Sequence, residues 1–271
     1  MGEVNKKLNG KVALVTGGAR AIGRAHALRL AVLGVDVVIN DINLESFKEY
    51  GEEISAPTVM DEVRKLGARS MGIAADVGKK DQVEEMVKKV LAEFGRIDIL
   101  VNNAGGIAGQ IIKSFASFVS EEDLRATFDR NLMGTIYCSQ AVAPFMKKQN
   151  WGRIINTASQ AGLQAQQGGI YASYGAAKAG VMAYTRYLAQ ELGPFGVTVN
   201  CLVPAYVLTE RLEAIAYKAR PGSKEETIAR IPLGRLAEPD DVAKVMEFFV
   251  SDLADYVTGQ CLTICGGAIR F

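Results

Sequence analysis

Short apolar runs alternate with segments in which apolar residues recur at helical spacing along almost the whole chain. Runs of this kind are typical of strands that are buried on both faces of a parallel sheet. The predicted strands cover residues 11–16, 35–40, 69–74, 97–101, 152–157, 197–203 and 260–264. The predicted helices cover about 24–34, 56–66, 79–94, 121–146, 174–193 and 238–253. This alternation predicts an α/β fold, a doubly wound parallel sheet with helices on both faces.

Two segments depart from the alternation. Residues 43–57 are polar and longer than most strand–helix connections, so we expect a loop or a short helix there. Residues 206–231 are polar and helix-prone, and we expect them to form a lid over the ends of the strands. Because no linker or compositional break divides the pattern, residues 1–271 are predicted to form a single domain.

A glycine-rich turn from Gly17 to Gly23 follows the first predicted strand and opens the first helix. The backbone N–H groups of such a turn and the positive end of the helix form a cradle for a pyrophosphate. Asp41 ends the second strand, where a carboxylate can accept hydrogen bonds from the ribose hydroxyls of an adenosine. The two features together favour dinucleotide binding.

Distinctive polar and small residues come directly after several other strands. In open parallel sheets, ligands bind beyond the carboxyl ends of the strands. The residues at these ends are 16–23, Asp41, Asp76, 102–106, Ser159 and 204–209. The sequence therefore predicts one site at this edge of the sheet.

Tyr174 and Lys178 are four residues apart on a predicted helix, so their side chains lie on the same face. A phenol ordinarily loses its proton near pH 10, and a nearby ammonium lowers that pKa by stabilising the phenolate. The pair is a candidate acid/base device for moving a proton to or from an alcohol oxygen. A solvated helix face carries such pairs too, so the assignment depends on the residues at the strand ends.

The composition excludes several classes of partner. The net charge is +1 and charged residues make up 23% of the chain, so neither a nucleic acid nor an anionic membrane surface is expected. No apolar run is long enough to span a membrane. The chain begins MGEVNKKLNGK and shows no hydrophobic signal segment there.

The cysteines and the histidine indicate the cellular compartment and whether a metal site is expected. The four cysteines include no CxxC pair, which favours free thiols in a reducing compartment, and we expect a cytoplasmic protein. With His26 as the single histidine, neither a His-rich metal site nor a Ser-His-Asp triad is expected, and we predict no metal.

In their order along the chain, these motifs resemble those of the short-chain dehydrogenase/reductase family, which has a Rossmann-like fold. The similarity runs from about Leu8 to Gly267. The matching segments are TGGARAIG at 16–23, Asp76-Val77, NNAG at 102–105, Asn131, Ser159, YGAAK at 174–178 and PAYVLT at 204–209. The stretches PLGRLAEPDDVA and SDLADYVTGQ are also similar to the family's C-terminal part.

The resemblance implies an oxidoreductase that transfers a hydride between a nicotinamide cofactor and a secondary alcohol or ketone. The implied catalytic tetrad is Asn131, Ser159, Tyr174 and Lys178. Tyr174 would be the acid/base, and Ser159 would hydrogen-bond the substrate oxygen. Lys178 would also hold the nicotinamide ribose, and Asn131 would order a water that links Lys178 to solvent.

The substrate pocket is expected between residues 106–115 and 160–171. Tyr171 is a rival phenol in this region, but Gly175 rather than a lysine stands four residues beyond it. Tyr171 is therefore expected to line the pocket or to pack.

The resemblance also implies which residues contact the cofactor. They are Gly17, Arg20, Ile22, Gly23, Asp41, Ile42, Asp76, Val77, Asn103, Ala104, Gly105, Tyr174, Lys178, Pro204, Val207 and Thr209. Asp41 would repel the 2′-phosphate of NADP, and no Lys or Arg follows it, so NAD is favoured. Arg20 is a cation that NADP-binding relatives often use, which keeps NADP as the less favoured alternative.

Two alanines stand where the family pattern has glycine. Ala21 replaces the middle glycine of the turn, and its methyl group resists a positive φ. Ala205 follows Pro204, where glycine is usual, beside the expected nicotinamide site. Alanine is the least disruptive replacement in both places, so we expect them to tune cofactor binding.

The leading interpretation is an NAD-dependent dehydrogenase of a small or cyclic secondary alcohol. One alternative is an NADPH-dependent reductase of the 3-oxoacyl kind. An alternative of another class is a non-catalytic nucleotide-binding scaffold, against which the intact tetrad argues. The helices around 121–146 and 174–193 and the last strand resemble the family's subunit interfaces, which implies a homotetramer.

Overall fold

The fold is built around a parallel sheet, seen in a computed structural model that describes residues 8–218 and 222–270. Its strands are β1 (Val12–Thr16), β2 (Asp36–Asp41), β3 (Ser70–Ala74), β4 (Ile99–Asn102), β5 (Gly152–Thr157), β6 (Val197–Pro204) and β7 (Cys261–Ile264). They are ordered β3-β2-β1-β4-β5-β6-β7, and every neighbouring pair is parallel. The predicted doubly wound α/β fold is confirmed. The strand order reverses between β1 and β4, where such sheets open a crevice for ligands.

Helices cover both faces of the sheet. They are α1 (Ala21–Val32), α2 (Val59–Lys65), α3 (Lys80–Phe94), α4 (Glu121–Phe128), α5 (Gly134–Gln149), α6 (Ala172–Leu192), α7 (Glu210–Leu212), α8 (Ser223–Ile228) and α9 (Pro239–Val250). On one face, Leu30 of α1 and Phe249 of α9 pack in one apolar core with β2. On the other face, Met86 of α3 and Met146 of α5 pack in a second core with β1 and β4. The strands lie between these cores, which explains their continuous apolar runs.

Side-chain caps decide where several helices begin. A hydroxyl at the N-cap accepts the N–H of the residue three further on, at 3.1–3.2 Å, from Thr58 in α2, Ser120 in α4 and Thr209 in α7. Each cap of this kind stabilises the helix by about 1 kcal/mol. The cap of α2 explains why that helix begins at Val59, later than the apolar periodicity predicts.

The long helix predicted over 121–146 is present, but it is not a regular α-helix throughout. The structure has α4 and α5 joined by a π-helical turn at Asp129–Met133, and α5 continues to Gln149. A π turn inserts a residue into the helical repeat, which shifts the faces of the helix beyond it. Asn131 lies within this turn and is fully buried.

The two irregular segments contain short helical turns. Ser46–Tyr50 is a 3-10 turn, and α7 continues into a π turn at Glu213–Tyr217 before α8. The predicted lid at 206–231 includes residues 219–221, which lie outside the described residues, and its role as a lid stays a prediction.

A buried ladder of polar side chains ties α6 to the sheet. The amide of Asn102 on β4 donates to the hydroxyl of Ser139 on α5 at 3.0 Å and to the side-chain oxygen of Asn156 on β5 at 2.9 Å. Asn156 in turn donates to the hydroxyl of Thr185 on α6 at 2.9 Å. Buried polar groups are costly unless paired, so this ladder fixes how α6 sits against β5.

Three further findings bear on the functional class. Over residues 8–218 and 222–270, no helix has the length and apolar character needed to cross a membrane. Within the same ranges, no group of three or more His, Cys, Asp or Glu side chains could hold a metal ion. The cysteines are free thiols, with Cys138 and Cys201 buried and Cys261 and Cys265 half-buried.

Candidate active site

A cleft of about 840 Å³ opens at the carboxyl ends of the strands. All sixteen residues expected to contact the cofactor line it: Gly17, Arg20, Ile22, Gly23, Asp41, Ile42, Asp76, Val77, Asn103, Ala104, Gly105, Tyr174, Lys178, Pro204, Val207 and Thr209. Ser159 lines it as well, whereas Asn131 is buried and does not. The structure therefore brings the expected contacts together, and the individual roles stay predictions.

The glycine turn is packed too tightly for side chains. A Cβ on Gly23 would lie 1.9 Å from the carbonyl oxygen of Gly17, and a Cβ on Gly17 would lie 2.8 Å from Cα of Ala104. The hydroxyl of Thr16 accepts the N–H groups of Asn103 and Ala104, each at 3.1 Å. The turn and the loop after β4 thus form one rigid wall, whose bare backbone can approach a pyrophosphate closely.

Ala21 adopts the conformation that its methyl group disfavours. Its φ is +48°, and its N–H donates to a carboxylate oxygen of Glu52 at 2.8 Å. Glu52 is held in place by Arg24, which lies 3.0 Å away. Sequence reasoning missed Glu52, because its segment reads only as a polar loop.

Replacing Ala21 with glycine should stabilise the protein. The left-handed conformation costs alanine about 1–2 kcal/mol in the folded protein, and glycine avoids this cost. Glycine also has more freedom in the unfolded chain, which lowers the stability of the variant by about 0.5–1 kcal/mol. We expect Ala21→Gly to raise the free energy of unfolding by about 0.5–1 kcal/mol, measured by urea titration. Ala25→Gly, inside α1, should lower it by about 1 kcal/mol. If Ala21→Gly lowered the free energy of unfolding as Ala25→Gly does, the backbone at Ala21 would not be strained.

Asp41 is aimed at the turn from the end of β2. It is 9% exposed, and its carboxylate accepts the N–H of Ala19 at 3.2 Å and the N–H of Asn43 at 3.3 Å. Burial raises the pKa of Asp41, and these two backbone hydrogen bonds and the charge of Arg20 partly oppose that rise. An ionised carboxylate offers about four acceptor positions, so Asp41 retains room for ribose hydroxyls.

The surroundings of Asp41 suit an adenosine. Ile42 is 72% exposed at the edge of the cleft and offers an apolar surface to a base. The guanidinium of Arg20 lies over the ring of Tyr50, 5.1 Å from its centroid. The residues present therefore fit the adenosine half of a dinucleotide.

Tyr174 and Ser159 both line the cleft. Burial raises the pKa of Tyr174, while a hydrogen bond with Ser159 and the charge of Arg211 lower it, and Tyr171 raises it further. The balance lies above the usual pKa of a phenol. The sequence predicts a lowered pKa, and the difference arises because desolvation outweighs the stabilising neighbours here.

Lys178 lies beneath Tyr174 on the same helix face. Its Nζ is 5.7 Å from the centroid of the Tyr174 ring and donates to the carbonyl oxygen of Thr157 at 2.6 Å. Burial lowers the pKa of Lys178 to about 8, and the neighbouring Cys201 opposes this. A Cβ on Gly105 would lie 3.2 Å from this Nζ, so glycine there leaves room for the ammonium.

Asn131 binds the loop after β4. Its side-chain oxygen accepts the N–H of Gly106 at 2.9 Å, and its amide donates to the carbonyl oxygens of Gly106 at 2.8 Å and Thr127 at 2.7 Å. Both amide protons are therefore used within the protein. Asn131 positions the loop that passes beside Lys178, and its part in ordering a water stays a prediction.

The two segments expected to wall the substrate pocket line the same cleft as Ser159. Tyr171 has a φ of +64° at the start of α6, and its ring meets that of Tyr174 edge-on at 6.2 Å. Residues of both expected walls line the cleft here, namely Gly106, Ile107, Ile111, Gln160, Ala161, Gln166 and Tyr171. Arg211 lines it from α7, and sequence reasoning missed this residue although it stands just after the PAYVLT segment.

The second alanine, Ala205, causes no comparable strain. Its φ is not positive, and its N–H donates to the carbonyl oxygen of Ile264 on β7 at 3.0 Å. An alanine fits this position as well as a glycine does.

Known sequences match the chain over nearly its full length. Residues 17–268 match a family profile described as enoyl-(acyl carrier protein) reductase. The chain is 47% identical to cyclohexanol dehydrogenase of Rhodococcus sp. (strain TK6) over 266 residues, which cover 97% of each protein. It is 38% identical to a 3-oxoacyl-[acyl-carrier-protein] reductase of Synechocystis sp. over 266 residues, 97% of this chain and 99% of that protein.

Solved structures match the fold closely. A short-chain type dehydrogenase/reductase from Mycobacterium marinum is 30% identical and superposes with a TM-score of 0.86 over 98% of both chains. A 7α-hydroxysteroid dehydrogenase in complex with NADH and 7-oxo glycochenodeoxycholic acid is 29% identical, with a TM-score of 0.87 over 100% of this chain and 99% of that one.

Proposed function

The chain belongs to the short-chain dehydrogenase/reductase family of oxidoreductases, and we propose that it is an NAD-dependent dehydrogenase of a small or cyclic secondary alcohol. The observation that carries the proposal is that Tyr174, Ser159 and Lys178 line the same cleft as the glycine turn. The similarity to cyclohexanol dehydrogenase supports a cyclic substrate.

The chemistry follows from three side chains. Ser159 hydrogen-bonds the substrate oxygen and stabilises the charge that develops on it. Tyr174 takes the hydroxyl proton during oxidation and returns it during reduction. Lys178 lies close enough to favour the charged form of the phenol when the cleft is filled. The bound nicotinamide supplies the hydride acceptor.

Cofactor preference is proposed to rest on Asp41. Asp41→Ala should lower the ratio of kcat/KM with NAD to kcat/KM with NADP by about 100-fold, because ribose hydrogen bonds and repulsion of a 2′-phosphate are lost together. Asp36→Ala, at the other end of β2 and outside the cleft, should leave the ratio unchanged. An unchanged ratio in Asp41→Ala would contradict the assignment to NAD.

A turnover screen tests the function as a whole. Secondary alcohols with NAD and NADP, and their ketones with NADH and NADPH, should show absorbance changes at 340 nm that are strongest with a cyclic alcohol and NAD. The similarity to 3-oxoacyl reductases favours one rival, which predicts faster reduction of a 3-oxoacyl thioester with NADPH. If no combination of substrate and cofactor shows turnover, the non-catalytic nucleotide-binding scaffold is favoured.

The assembly is proposed to be a homotetramer in the cytoplasm. Exposed apolar side chains lie on the helices that resemble the family's interface, including Leu124, Phe145 and Tyr187, and on β7 at the sheet edge, where Leu262 is exposed. Such surfaces are costly in a monomer. Light scattering during gel filtration measures the mass.

A further inference from the structure

Arg211 is a cation of the cleft that the proposed proton transfer does not require. It lines the cleft from α7, and its Nη1 lies 3.1 Å from the position that a Cβ on Gly106 would occupy. The glycine thus leaves space for the guanidinium beside the loop that Asn131 holds. This position is in the same part of the cleft as Tyr174 and Tyr171.

The field of Arg211 reaches the reacting groups. Its charge lowers the pKa of both Tyr174 and Tyr171. Arg211 is the cation whose charge acts on Tyr174, whereas Lys178 donates to the carbonyl oxygen of Thr157. Arg211 is therefore the guanidinium that a substrate beside Tyr174 would meet.

Arg211 also differs from three other partly buried arginines. Arg24 pairs with Glu62 at 2.6 Å, Arg153 with Asp255 at 2.6 Å and Arg96 with Asp98 at 2.6 Å. No carboxylate in residues 8–218 or 222–270 forms an ion pair with Arg211. Arg20 likewise has no carboxylate partner within the described ranges, but it lies over the ring of Tyr50 near Asp41. A half-buried guanidinium that lacks a counter-ion binds a carboxylate readily, since its planar fork matches the two oxygens.

We infer that the substrate carries a carboxylate near its carbinol carbon, and that Arg211 binds this carboxylate and so determines specificity. This inference rests on the proposed function, because it describes the second contact of the alcohol that Tyr174 and Ser159 hold. The substrate class is thus a hydroxy acid whose oxidised form is an oxo acid.

Two ketones that share a ring and differ in one carboxylate separate the effect of charge on kcat/KM from the effect of ring shape. Cyclohexanone and 3-oxocyclohexanecarboxylate are compared by kcat/KM with NADH in the wild type, Arg211→Met, Arg211→Lys and the surface control Arg125→Met. The wild type should prefer the carboxylate by about 10- to 100-fold, as expected for a charged hydrogen bond. Arg211→Met should lose this preference, because its effect on the pKa of Tyr174 changes the rates with both ketones by a similar factor and cancels in their ratio, whereas the loss of the ion pair slows the carboxylate alone. Arg211→Lys should keep part of the preference, and Arg125→Met all of it.

Direct binding gives a readout that is independent of turnover. Cyclohexanecarboxylate should inhibit the wild type competitively, and its Ki should rise about 10-fold or more in Arg211→Met. The Kd for NADH, from fluorescence titration, should stay the same. A weaker Kd for NADH would show that Arg211 contacts the cofactor, and an equal loss with both ketones would show a general role; either result overturns the inference.

The outcomes also separate this inference from the proposed function. If the wild type reduces both ketones without preferring the carboxylate, the specificity assigned to Arg211 fails and the dehydrogenase assignment stands. If the wild type reduces neither ketone nor any other carbonyl compound of the screen, the proposed function itself fails.

Discussion

Tyr174→Phe should abolish turnover while leaving the cofactor bound. The variant removes one hydroxyl from a side chain that lines the cleft with Ser159 and Lys178, and the ring still fills its place there. Loss of a general acid/base lowers kcat by about 10²- to 10⁴-fold. We expect a fall near the upper end of this range in kcat for a secondary alcohol, with a Kd for NADH that changes less than about threefold.

Tyr171→Phe provides the matched comparison, since its ring contacts that of Tyr174 at 6.2 Å. Removing this hydroxyl should change KM for the substrate but leave kcat within about 10-fold of the wild type. Tyr187→Phe, on the exposed side of α6, should change neither. An active Tyr174→Phe beside an inactive Tyr171→Phe would reverse the assignment of the phenols.

Lys178→Met is expected to have the second largest effect on activity. Below about pH 8, where Lys178 carries its charge, the variant lacks the ammonium that stabilises the phenolate of Tyr174, so kcat/KM for oxidation should fall by about 10²-fold or more. The rise of the oxidation rate with pH should also move to higher pH. Steady-state kinetics between pH 6 and 10 measure both effects. A residual activity with an unshifted profile would show that Lys178 does not act on the phenol.

The same substitution should change how stability depends on pH. Burial lowers the pKa of Lys178 in the folded protein to about 8, from its ordinary value of 10.5. Between these values the unfolded chain binds the proton and the folded protein does not, so the wild type gains stability as pH rises from about 8 to 10.5. Below about 8 the buried charge is a penalty. Lys178→Met should lose this gain in urea titrations, whereas Lys148→Met, on the surface of α5, should keep it.

Much of the fold could be predicted because buried parallel strands leave a simple signature. The runs 152–157 and 197–203 are short and rich in β-branched residues, and the structure places β5 and β6 there, buried at every position. The carboxyl ends of parallel strands share one edge, so the residues after β1, β2 and β4 could be assigned to a common cleft before any contact was known.

The predictions differed from the structure where the local sequence pattern does not determine the backbone geometry or the surroundings of a side chain. Helical periodicity over 121–146 does not distinguish a continuous helix from two helices joined by a π turn, because the apolar spacing changes by a single residue. The contact of Glu52 with the N–H of Ala21 and the position of Arg211 depend on residues far apart in sequence. The pKa of Tyr174 depends on burial, which the spacing of Tyr and Lys does not report.

The polar ladder through Asn102 and Asn156 has a consequence for protein engineering. It anchors the helix that bears the reactive pair to the central strands, at a distance from the loops that enclose the substrate. Those loops, 106–115 and the segment after Pro204, are also held by their own contacts, for example the N–H of Ala108 to the hydroxyl of Thr127 at 3.1 Å and the N–H of Leu208 to the carbonyl oxygen of Ala237 at 2.7 Å. Loops exchanged to change the preferred substrate would therefore have to keep these contacts, while the ladder would hold the helix of Tyr174 and Lys178 in place.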